Sequence, residues 1–210
     1  MASAQSCLDG ARTSEQADQC YSIVEGLTTP DAYLIKCSAN FVAQGFSGQK
    51  IADVLQSISN NTGDNSTVAL MGHLNFNNSI GNGQRHTATN TVLNCRNSGS
   101  VSMLRLATAA ELATTVQGLV DPTLLSGNDP VANMQAAIDS LSNGTIPAGG
   151  AAAVGQVATT VSGAFCGPGS TYESEDICKD LNNAINTANP ADYYASIGEK
   201  LLDLLNSATH

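Results

Sequence analysis

Glu173, Glu175 and Asp176 in the stretch YESEDIC, and Glu15 and Asp18 in TSEQAD, are the carboxylates whose spacing first suggests chemistry. Two acids converging on a cleft can cleave a glycosidic bond, one as proton donor and the other as base or nucleophile. Such a cleft is commonly lined with rings that stack on the sugar. This chain has five Tyr, four Phe and no Trp, so a sugar-hydrolysing cleft is not expected. The same acids could bind calcium through oxygen ligands, but neither stretch has the D-x-[DN]-x-[DN]-G order that a calcium loop uses. Asp64-Asn65 and Asn128-Asp129 read as turn formers.

The available imidazoles are His73, His86 and His210. His73 and His86 lie in an Asn-rich stretch that also holds Arg85, with Asp64 its one carboxylate, and His210 ends the chain. A serine nucleophile would need a strained setting such as G-x-S-x-G, which the sequence lacks. The histidines therefore read as solvated loop residues. GNGQ and GPGS lack the lysine and the strand-to-helix context of a phosphate loop. No catalytic residue, cofactor or metal site is expected, and the chain reads as a non-enzyme.

The remaining reactive side chains are six cysteines: Cys7, Cys20, Cys37, Cys95, Cys166 and Cys178. Their number is even, none forms C-x-x-C, and no histidine cluster stands near them, which favours three disulfides over a zinc site. Four N-glycosylation triplets begin at Asn60, Asn65, Asn77 and Asn143. The opening MASAQSC has neither a basic nor an apolar leader stretch and reads as the start of a mature chain whose signal peptide is gone. No apolar run approaches the roughly eighteen residues that span a bilayer. A secreted, extracellular protein is the expectation.

Composition narrows the partners. Charged residues make up 12% of the 210 residues, and 18 acids against 8 bases give a net charge of −10. Phosphate backbones and anionic lipid would be repelled, so neither nucleic acid nor a membrane surface is an expected partner. With 42% hydrophobic residues but only 4% aromatic, the core must be built mainly from Ala, Val, Leu and Ile, under a surface of Asn, Ser, Thr, Gln and Gly.

The elements that must carry these residues are helical by their periodicity. Cys20, Ile23, Val24 and Leu27 fall on one face of a helix that follows Ser14. Pro30 stops it and starts a second, with Tyr33, Leu34, Cys37, Phe41 and Val42 inward, ending near Gly45. A third is expected from Ser47, with Ile51, Val54, Leu55 and Ile58 as its stripe. Residues 60–82 read as a long loop or as a short helix over Val68 to Phe76 between two loops. Helices follow at Val101 to Leu119, ending before Asp121-Pro122, and at Pro130 to Leu141, on Val131, Met134, Ile138 and Leu141. A helix from Gly150 to Phe165 should pack closely on a neighbour through its small residues. The last helix, Ala191 to Ser207, carries Ile197, Leu201, Leu204 and Leu205. The fold expectation is all-α: a single disulfide-stapled helical bundle over 1–210, of about six to eight helices.

Two stretches near the ends resemble one another. Placing Cys166 over Cys7 aligns Gly10 with Gly169, Cys20 with Cys178, Pro30 with Pro190 and Tyr33 with Tyr193. Cys178, Leu181 and Ile185 then repeat the phase of Cys20, Ile23 and Leu27. We read repeat-like units at 7–45 and 166–207, which pair Cys7 with Cys20 and Cys166 with Cys178 and leave Cys37 for Cys95. Each local bridge would pin a short acidic loop onto the start of a helix and contribute about 3 kcal/mol by loop entropy. The expected function is that of an extracellular structural or assembly component whose partner is itself. The alternative is a carrier holding a small apolar ligand in the core of the bundle.

Overall fold

The computed structural model describes residues 2–46, 66–77, 87–125, 127, 129–143, 146–167 and 176–207. Among them are ten α-helices and no strand: α1 (Ala2–Gly10), α2 (Ser14–Ile23), α3 (Pro30–Ala43), α4 (Ser66–Leu74), α5 (Ala88–Ser98), α6 (Val101–Gly118), α7 (Pro130–Asn143), α8 (Gly150–Phe165), α9 (Asp176–Asn186) and α10 (Tyr193–Ser207). Short 3₁₀ turns cover Pro122–Leu125 and Pro190–Asp192. The helix expected from Ser47 lies outside the described residues.

The helix count exceeds the expected six to eight because α1 and α5 carry almost no apolar stripe. In α1 the buried side chains are Ala4 and Leu8. In α5 the buried face is Ala88, Thr91, Val92, Asn94 and Cys95, so hydroxyl and amide groups take the inward positions where periodicity looks for Leu or Ile. Local chemistry marks both ends of α5. The Thr87 hydroxyl accepts from Asn90 N at 3.2 Å, and Gly99 closes the helix at φ 73°, a left-handed conformation that glycine adopts without strain. Comparable caps start α2, where Thr13 Oγ1 accepts from Gln16 N and Gln16 Oε1 accepts from Thr13 N, and α3, where Thr29 Oγ1 accepts from Ala32 N just before Pro30.

The chain forms two compact units, where the sequence suggested one domain over 1–210. Unit 1 takes Met1–Gln56 and Phe76–Ala107, and unit 2 takes Ser57–Asn75 and Thr108–His210. In unit 1, α3 packs against α1, α2 and α5. Its core is a set of small clusters: Leu8, Ala11, Cys20, Tyr21 and Ala39 in one, and Ala4, Val24, Ala32 and Ile35 in another. Phe41, Phe46 and Phe76 add an aromatic group, with Phe41 edge-on to both partners at 5.6 and 5.3 Å.

Unit 2 has one larger apolar cluster. Met71, Leu112, Val116, Met134, Ile138, Leu141, Val154, Leu181, Ile197, Leu201 and Leu202 are all buried in it. Helices α8 and α10 pack extensively on one another, and glycine lets their backbones approach. A Cβ on Gly198 would meet the Ala151 carbonyl oxygen and fall 2.7 Å from its carbon; one on Gly155 would meet the Tyr194 carbonyl and fall 2.9 Å from Gly198 N. The small-residue packing expected of 150–165 is this crossing. Gly72 does the same for α4 on α7, where a Cβ would lie 2.8 Å from the Pro130 carbonyl carbon.

Two stripes sit differently from their sequence reading. Ile23 and Leu27 are exposed, at 49% and 45%, while Tyr21 and Val24 are buried beside Cys20. Helix α2 ends at Ile23, so Leu27 falls in the turn beyond it and no longer follows the helical period. Leu34 is also exposed, and Ile35 and Lys36 point inward with Cys37 and Phe41. In α9, by contrast, Cys178, Leu181 and Ala184 are buried. The helix-face correspondence proposed between the two ends is therefore not kept: the inward positions after the cysteine differ in α2 and α9.

Candidate functional site

The cysteines close as Cys7–Cys20, Cys37–Cys95 and Cys166–Cys178, with Cα separations of 5.5, 5.0 and 5.3 Å. Cys7 lies inside α1 and Cys20 inside α2, so this bridge joins two helices. The acidic stretch it was expected to pin as a loop belongs to α2 itself: the Thr13–Gln16 capping box begins the helix ahead of Glu15 and Asp18. The Glu15 carboxyl is held below its usual range by hydrogen bonds from its own backbone amide and from the Thr13 hydroxyl, as the first turn of a helix favours. Cys166 caps the end of α8 and Cys178 stands in the first turn of α9. Cys37–Cys95 ties α3 to α5 across 58 residues, and both of its cysteines are wholly buried.

Few of the remaining sequence candidates fall among the described residues. His73 lies half-buried in the last turn of α4, whereas His86, Arg85, His210, Asp64, Asn65, Glu173 and Glu175 lie outside the described residues. Asp176 is the first residue of α9. Asp129 N-caps α7, accepting from Val131 N at 2.9 Å and Ala132 N at 3.4 Å. Of the glycosylation triplets, Asn77 and Asn143 are exposed, and Asn143 Nδ2 donates to Asp139 O at the end of α7. Among the described residues no group of three or more His, Cys, Asp or Glu could hold a metal ion. No described helix is long and apolar enough to cross a membrane.

Two surface grooves flank α10. One, of about 380 Å³, lies between α9 and α10 and is lined by Asp180, Asn183, Ala184, Lys200, Asp203 and Leu204. The other, of about 450 Å³, is lined by Leu141, Ser142, Ile146, Glu199, Leu202 and Asp203. The Lys200 ammonium donates to the Thr187 hydroxyl and carbonyl just past the end of α9. That cation therefore serves the helix end, where the backbone carbonyls carry partial negative charge.

Three features carry roles that gave no signal in the sequence reading. Lys36 is only 5% exposed. Its ammonium donates to the Glu25 and Leu27 carbonyls at 2.8 and 2.7 Å and stands 4.8 Å from the centre of the Tyr33 ring, which tethers the α2–α3 turn to α3. Burial pushes its pKa down, with Glu25 opposing. Gln44, buried at the end of α3, binds the backbone of Asn77 twice, donating from Nε2 at 3.0 Å and accepting at Oε1 at 2.8 Å. Tyr193 and Tyr194 stand exposed at the start of α10 with ring centres 5.2 Å apart. A Lys after two apolar residues has no distinctive spacing, and Tyr193, which the sequence aligns with Tyr33, reads there as an anchor of the repeat-like unit and not as an exposed surface ring.

No family profile, curated protein or solved structure matches this chain.

Proposed function

We propose that the chain is a secreted, non-enzymatic protein acting as an extracellular structural or assembly component, with copies of itself as partner. The observation that carries this reading is the set of large apolar side chains left in water on both units: Ile23, Leu27, Leu34, Leu93 and Val101 on unit 1, and Leu124, Tyr193 and Tyr194 on unit 2. Three cystines, with no free cysteine among the described residues, support an oxidising compartment. Among the described carboxylates, Glu15 lies in the first turn of α2 and Asp129 caps α7, Asp121 accepts from Thr123, and Glu111 is buried in α6. A carrier of a small apolar ligand is the competing role, and the charged linings of both described grooves speak less for it.

Acid is the test. The net charge of −10 opposes contact between copies at neutral pH, and it falls as the pH approaches the sequence pI of about 4.4. Self-association should rise between about pH 6 and 4.5, where ordinary carboxylates begin to take up protons. The helices should survive this window. Glu15 and Asp121 are both held below the usual carboxylate range, Asp121 by the Thr123 backbone amide and hydroxyl. Static light scattering and circular dichroism on one titration read both quantities. A monomer at every pH sinks the assembly role, and an apolar molecule retained in native mass spectrometry would put the carrier in its place.

A further inference from the structure

We draw no further inference here: the strongest candidate, the apolar surface patch made by the exposed Tyr193 and Tyr194 at the start of α10, carries none because nothing in the structure shows what covers it.

Discussion

Unit 1 and unit 2 are both helical but are held together by different means. Unit 1 holds two of the three bridges, Cys7–Cys20 and Cys37–Cys95, while both units bury polar side chains: Lys36, Asn40, Gln44, Thr91 and Asn94 in unit 1, and Thr108, Glu111, Thr114, Gln117 and Ser162 in unit 2. Among the described residues of unit 1 the apolar clusters are small and rich in alanine, beside the group of Phe41, Phe46 and Phe76. Unit 2 has a single bridge near the α8–α9 connection, and its core is a broad cluster of Val, Leu, Ile and Met. Alanine contributes little area when buried, at roughly 25 cal/mol for each Å² removed from water. Covalent links in unit 1 therefore take over part of what aliphatic burial does in unit 2.

The sharpest way to break this comparison is to attack the helix crossing of unit 2. Gly198→Val should abolish packing of α10 on α8. A Cβ there meets backbone atoms of Ala151, which cannot rotate aside as a side chain can. Relief of the glycine helix penalty, about 1 kcal/mol, is far smaller than the loss from separating the helices, about 4 kcal/mol or more. Limited proteolysis with mass mapping should then cut within 108–207 while leaving the α1–α3 region protected. Equal cleavage across both regions would show that the units do not differ as described.

The converse experiment removes a bridge. Replacing Cys37 and Cys95 together by Ser opens a loop of 58 residues, and chain entropy assigns this about 4 kcal/mol. Replacing Cys166 and Cys178 opens 12 and should cost about 3 kcal/mol. The larger loss should fall on unit 1, where little apolar burial compensates. Urea denaturation of the two double variants compares them directly; a Cys166/Cys178 variant that is the less stable of the two would overturn the assignment of unit 1 as the bridge-dependent unit.

A smaller effect is expected at Gln44. Gln44→Leu keeps the side-chain volume but removes both hydrogen bonds to the Asn77 backbone, leaving an amide and a carbonyl without their partner. The expected loss is about 1–3 kcal/mol. Hydrogen exchange should speed up at Asn77 N and leave the α8–α10 amides unchanged. Unaltered exchange at Asn77 would mean that Phe76, packed against Phe41 and Phe46, holds the segment by itself.

What the sequence disclosed follows the same division. The helices of unit 2 were legible because their inward positions are aliphatic: Met134, Ile138 and Leu141 in α7 and Ile197 and Leu201 in α10 stand out at spacings of three and four. The small-residue helix of residues 150–165 was legible because Gly and Ala leave close packing as their use. In unit 1 the inward positions of α5 are Thr91, Val92, Asn94 and Cys95, a mixture that no hydropathy period separates from a surface. The reading of Leu27 as core failed because helical phase was extended past the point where the helix ends, and Ile23, in the last position of α2, is exposed while Tyr21 and Val24 turn inward. Lys36 was invisible for a related reason: a lysine turns inward only when carbonyls await it, and those of Glu25 and Leu27 are supplied by the turn that ends α2. The acids singled out in the sequence disclosed no site: among the described ones Glu15 lies in the first turn of α2 and Asp129 caps α7, a fate that composition does not distinguish from catalysis.

Lys36 gives the finest discrimination between the units. Lys36→Met removes the two bonds to the Glu25 and Leu27 carbonyls and the contact with the Tyr33 ring, but it also removes a buried ammonium. The losses, each about 1 kcal/mol or somewhat more, are partly offset by the relieved desolvation, so a net destabilisation of about 1 kcal/mol is expected at neutral pH. The pH dependence carries a clear sign. Burial lowers the pKa of Lys36 in the folded protein below its ordinary 10.5, so on raising the pH the folded chain releases this proton first. Between the lowered value and 10.5 the unfolded chain holds more protons, and stability conferred through this group rises with pH; it is fully present above 10.5 and lost as the pH falls through the folded pKa. Wild type should therefore gain stability over Lys36→Met as the pH approaches 10.5 from below, in urea melts followed by circular dichroism. A difference between the two proteins that is flat or shrinking over that range would show that the amine is hydrated in the folded chain and that the α2–α3 turn is held by packing alone.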